Sequence, residues 1–96
     1  MDVIELPKVL DLVAAPALLE SFMKKRGSDI TVNAEQVQRL GAQCFQILLS
    51  AKKTWEIEDQ GFYLDNPSPA FLEAMELMGG TVGDLTYLAS EIGKEV

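Results

Sequence analysis

Apolar residues recur at steps of three and four through the middle of the chain. Val37, Leu40, Cys44, Ile47, Ala51 and Trp55 form one stripe, Phe45 and Leu48 widen it, and Gln38, Arg39, Gln43, Gln46, Lys52 and Lys53 take the other side. That period predicts a long amphipathic helix packed against a sheet. Asn33 marks its start as an N-cap, Gln36 is spaced to complete a capping box, and Glu35 puts a negative charge in the first turn, where the helix dipole favours it. Ile30 to Val32 reads as a short strand running into this turn. A strand ending in an exposed turn before a helix is where open α/β sheets place their functional surface.

The flanking pattern is of the same kind. Val3 to Leu6 and Val9 to Leu12 are short β-prone segments separated by Pro7-Lys8, and Pro7, which donates nothing to a ladder, points to a turn or an edge. Pro16 suits the first position of a helix whose apolar side is Leu18, Leu19, Phe22 and Met23. Lys24, Lys25 and Arg26 close it, with Gly27 as a stop. After a polar connection over residues 56–61, Phe62 to Leu64 reads as a strand. Asn66-Pro67-Ser68-Pro69 then opens a helix with Ser68 as cap, and Phe71, Leu72, Met75 and Met78 are its apolar side up to Gly79-Gly80. Leu85, Leu88 and Ile92 at helical spacing predict a last amphipathic helix over residues 84–96. The order β-β-α-β-α-β-α-α implies an α/β fold, a single layer of mixed, partly parallel sheet with helices packed on it.

Composition narrows the classes. Ninety-six residues make one domain that buries roughly two-thirds of its unfolded surface. At 48% hydrophobic and 24% charged, the chain is globular in character. No apolar run approaches the ~20 residues of a membrane span, so direct membrane insertion is not expected. The start, MDVIEL, has no basic or apolar leader character, and a single cysteine suits a reducing compartment, so the expected location is cytoplasmic. The net charge is −7, unevenly spread: residues 1–55 hold 7 basic and 6 acidic groups, residues 56–96 hold 1 and 9. Acidity of this kind serves solubility first, and second an approach to a basic partner. It argues against nucleic acid, which needs a basic footprint.

The candidate chemistry is sparse. There is no histidine, which removes the usual general base and the commonest metal ligand. Cys44 falls on the apolar stripe, where a packing role outweighs a reactive one. Glu56, Glu58 and Asp59 read as solvated charge, with nothing apolar nearby to shift them. Gly79-Gly80-Thr81-Val82-Gly83 lacks the lysine of a phosphate loop. No catalytic set, metal site or cofactor site is expected.

The strand followed by Asn33-Ala34-Glu35-Gln36, then Val37, Leu40-Gly41, an amphipathic helix, a short strand and Asn66-Pro67-Ser68-Pro69-Ala70-Phe71, resembles the STAS domain of anti-sigma-factor antagonists. The Leu10-Asp11-Leu12 and Ala15-Pro16-Ala17-Leu18 stretch supports the resemblance, which covers Val9 to about Gly80. The nearest subgroup is the stand-alone bacterial type, including CheS-like proteins encoded beside chemotaxis genes. The resemblance implies a non-enzymatic protein-binding module that regulates a kinase, the chemotaxis histidine kinase CheA being the expected partner. A subunit of a lipid-transport ABC complex and an anti-sigma-factor antagonist are the alternatives. The family turn usually reads Asp-Ser-Ser/Thr-Gly and is phosphorylated on its first hydroxyl. Carried over, that residue is Ala34, which has no hydroxyl, so the usual switch is not expected; Glu35 adds a fixed charge beside it. The implied partner-binding residues are Asn33, Ala34, Glu35, Gln36, Arg39 and Gln43, with Asn66 and Ser68 from the neighbouring turn.

Overall fold

The computed structural model describes residues 2–90. Among the described residues, five strands and three helices alternate as an α/β fold: β1 Asp2–Glu5, β2 Val9–Leu10, α1 Ala15–Lys24, β3 Ile30–Asn33, β4 Arg39–Leu40, α2 Ala42–Ile57, β5 Phe62–Asp65 and α3 Pro69–Leu77. A single 3-10 turn, Val82–Leu85, follows. β3 lies between β1 and β5 in a three-stranded sheet, with both pairings parallel. β2 and β4 form a second, two-residue parallel pair. One antiparallel bridge, Phe62 to Tyr87, makes the sheet mixed.

The alternation of the strands decides what each face does. Ile4, Ile30, Val32 and Phe62 are buried on one face. Val3, Thr31 and Tyr63 pair across the three strands on the other, and Val3 is half exposed. α1 and α2 both cover the first face. Two parallel crossovers of one hand, made to successive strands in one direction, produce that one-sided layer. An aromatic cluster ties the layers: the rings of Phe22 on α1, Trp55 on α2 and Phe62 on β5 lie 5.9 to 6.0 Å apart, two of the three contacts edge-on. The Trp55 indole N–H donates to the Ser28 carbonyl at 2.7 Å, so its one polar atom is satisfied inside the core.

The central helix starts later than its apolar stripe suggests. It begins at Ala42 with Gly41 as N-cap, not at Asn33. Asn33 makes a local turn instead: its Oδ1 accepts the Glu35 N–H at 2.9 Å. Gln36 completes no capping box; its side-chain amide donates to the Leu6 carbonyl at 2.9 Å. The segment after it is claimed by β2. The Lys8 carbonyl accepts the N–H groups of Gln38 and Arg39, and the Leu10 carbonyl accepts that of Gly41. Val37 and Leu40 are buried as the stripe requires, but from a turn and a strand.

The β-prone segments on either side of Pro7 go to different partners, β1 to β3 and β2 to β4. One further expectation is corrected. The predicted C-terminal helix is absent over residues 84–90. There the 3-10 turn ends, and Tyr87 exchanges two backbone hydrogen bonds with Phe62, at 2.8 and 2.9 Å. Leu85 is buried but Leu88 is 71% exposed, so the helical spacing of the two has no shared face. The rest of that predicted helix, residues 91–96, lies outside the described residues.

α3 follows its sequence signals. The Ser68 hydroxyl accepts the Phe71 N–H at 3.1 Å, and Pro69 takes the first turn. At its end Gly79 adopts φ +82, a left-handed conformation that side-chain-bearing residues rarely adopt. Gly80 then sits so close to Phe45 and Met75 that a Cβ would strike both.

Candidate functional site

The carboxyl ends of β1, β3 and β5 lie in register, with Glu5, Asn33 and Asp65 side by side. Three loops leave the sheet there, and hydrogen bonds join them into one unit. The Gln36 side chain reaches Leu6 in the first loop. The Ala34 N–H donates to the Asp65 carbonyl at 3.0 Å, and the Ser68 N–H donates to the Ala34 carbonyl at 3.1 Å. The Ser68 hydroxyl donates to the Val37 carbonyl at 2.6 Å. Loop backbone anchored at this density costs little further ordering when a partner docks.

The expected site residues separate into two groups. Glu35, Gln36, Arg39, Gln43 and Asn66 are exposed, and Asn33 is half-buried at their centre. Asn66 holds φ +49, a left-handed turn that an asparagine accepts more readily than most residues. Ala34 departs from expectation: its side chain is fully buried, with 0% exposure, so no partner touches its methyl group. Its backbone is what matters, since it carries two of the links between loops. Ser68 is half-buried and its hydroxyl is used twice, once as the cap of α3 and once on Val37.

The junction of strand and helix is also displaced. It lies at β4 and α2, where Arg39, Ala42 and Gln43 are exposed around Gly41. No side chain caps this helix. Asp11 sits beside it, with its backbone carbonyl accepting the Cys44 thiol at 3.3 Å. Burial, with the Asp11 charge as a smaller cause, pushes the Cys44 thiol above its ordinary value. A thiol so placed stays protonated and inert.

Sequence reasoning missed Glu5 and Asp65. Both are exposed, and with Glu35 they surround Asn33 with carboxylates. Each ends a strand, and only the register reveals that they are neighbours. A cavity of about 70 Å³ lies between Glu5, Asn33, Glu35 and Gln36. Small-molecule pockets begin near 300 Å³, well above the size of this cavity. A wider groove of about 280 Å³ runs from Gln38, Arg39 and Leu40 to Glu73 and Leu77 on α3.

The acids of the 56–59 segment are committed elsewhere. Glu56 pairs with Lys52 at 3.4 Å and Glu58 with Arg26 at 3.0 Å. Asp59 accepts from the Tyr87 hydroxyl at 2.6 Å and from the Ser90 N–H at 2.7 Å. Its charge, through that hydrogen bond first, holds the Tyr87 phenol above its usual value. Among the described residues, no group of three or more His, Cys, Asp or Glu is placed to hold a metal ion. Compared with protein-family models and with curated proteins, the chain matches none.

Proposed function

We propose that this protein is a STAS-like docking module that regulates a kinase in bacterial signalling through surface contact, with a CheA-like histidine kinase as its partner. The observation that supports this reading is the fastening of three loops into one preformed surface at the carboxyl ends of parallel strands, with Glu5, Glu35, Gln36 and Asn66 turned outward. Its carboxylates favour a partner patch rich in Lys and Arg, which steers encounter and makes the rate of association fall with salt.

The docking face extends to the start of α2. In this chain the strand-to-helix junction is at Gly41. Ala34, the residue that the resemblance puts at the acceptor position, has no hydroxyl, so the module works without the covalent switch. Arg39 and Gln43 flank the junction; Arg39 offers its cation to a carboxylate on the adjoining part of the partner, and Gln43 offers an amide.

Pull-down with the kinase encoded beside this gene is the test, using wild type, Glu35→Lys and Arg39→Glu. Each substitution is expected to weaken binding at least tenfold, about 1.4 kcal/mol, without loss of fold. Undiminished binding by both variants would remove this surface from the account, and no binding by any form would remove the kinase.

A further inference from the structure

Leu19 and Met23 belong to the apolar side that the sequence assigns to α1, yet the core takes only Ala15, Leu18 and Phe22. Leu19 stays 49% exposed and Met23 64%. At 100° per residue, Pro16, Leu19 and Met23 fall within about 60° of one another, a second stripe beside the buried one. Leu12, 72% exposed, adds apolar surface in the turn that precedes the helix. Next to it lies a groove of about 150 Å³, lined by Leu19, Phe22, Met23 and Arg26 on one side and by Ser50, Ala51, Thr54 and Trp55 of α2 on the other.

We infer that this face binds a second copy of the same chain, with the two α1 helices antiparallel about a two-fold axis midway between Leu19 and Met23. A two-fold interface must be self-complementary. This patch meets that condition twice. It holds both the exposed apolar side chains, Leu19 and Met23, and the groove beside them that can take their counterparts. It also holds both signs of charge. Glu20 and Lys24, paired with each other at 3.2 Å and both well exposed, lie on either side of the axis, so each Glu20 meets the Lys24 of the other copy. An unlike partner would need only one half of each complement. The contact of two short helices lies at the low end of interface sizes, below about 1,200 Å² in total, so the dimer is weak and concentration-dependent. It uses none of the residues of the docking face and stands whether or not that face binds a kinase.

Sedimentation equilibrium of the full chain tests it, from about 10 µM to 1 mM, at about 0.15 M salt where the net charge of each copy is screened within about 8 Å. The weight-average mass is expected to climb from that of one chain toward that of two. Met23→Glu, at an exposed position that leaves the fold intact by circular dichroism, should raise the dissociation constant at least tenfold. Leu77→Glu, on exposed apolar surface of α3, should leave it unchanged. Glu20→Lys should weaken the dimer, and Lys24→Glu added to it should restore the association. A chain that stays monomeric throughout overturns the inference. So does a dimer indifferent to Met23→Glu, or one dissociated by Leu77→Glu.

Discussion

The Ser68 hydroxyl donates to the Val37 carbonyl at 2.6 Å, joining the loop after β5 to the loop after β3 across 31 residues of chain. The same oxygen caps α3 by accepting the Phe71 N–H. One side chain therefore starts a helix and closes the proposed docking surface. Ser68→Ala loses the cap and leaves a part-buried carbonyl without its donor. The expected cost is about 1–2 kcal/mol in urea-induced unfolding.

Two alanines separate the backbone role of the β3 loop from the surface role of the α2 junction. Ala34 is fully buried and Ala42 is exposed. Ala34→Glu forces a carboxylate into an apolar site and should cost about 3 kcal/mol or more. Ala42→Glu places the same charge in the first turn of α2, where the dipole favours it, and should change stability by no more than about 0.5 kcal/mol. Thermal unfolding of the two variants side by side measures the contrast.

How much of this was legible in the sequence depends on whether each signal was local. The Ser68-Pro69 start of α3, the Pro16 start of α1 and the glycines after α3 are signals within one turn of chain, and each acts where it stands. The start of α2 was hidden because Val37 and Leu40 keep helical spacing with Cys44 while a distant strand holds them. The carbonyls of Lys8 and Leu10, about thirty residues upstream, take the N–H groups that a helix would have used. The final helix failed for a similar reason, as Tyr87 is drawn into pairing with Phe62. At the site, Asn33, Glu35 and Gln36 were recognisable as a turn, but their neighbours Glu5 and Asp65 become neighbours only through strand register. The burial of Ala34 depends on a loop from another part of the chain.

Cys44 supplies a pH-dependent prediction. Its folded thiol titrates above the unfolded value, because it is buried and lies near Asp11. The unfolded chain gives up this proton near pH 8.5 while the folded chain keeps it. The stabilisation is thus complete below the unfolded value and is lost as pH rises through the folded one. Unfolding free energy should fall as pH rises past about 8.5, the unfolded thiol's value, and Cys44→Ala should flatten that part of the curve. Iodoacetamide should label Cys44 in urea far faster than in the native protein.

Trp55 holds α1, α2 and β5 together through Phe22 and Phe62, with 1% of its surface exposed. Trp55→Ala removes two ring contacts and the hydrogen bond to Ser28, and should cost about 3–5 kcal/mol. The variant's denaturation midpoint, read by circular dichroism, reports this directly.

The central claim is that the loops after β1, β3 and β5, with the start of α2, form the partner-docking face. Titrating the unlabelled kinase into the ¹⁵N-labelled protein and following amide shifts tests it residue by residue. The account predicts shifts confined to Glu5, to residues 33–43 and to Asn66, with α1 and the Val3–Thr31–Tyr63 face unmoved. Shifts centred on Leu19 and Met23, or on that open sheet face, with the three loops silent, would contradict it.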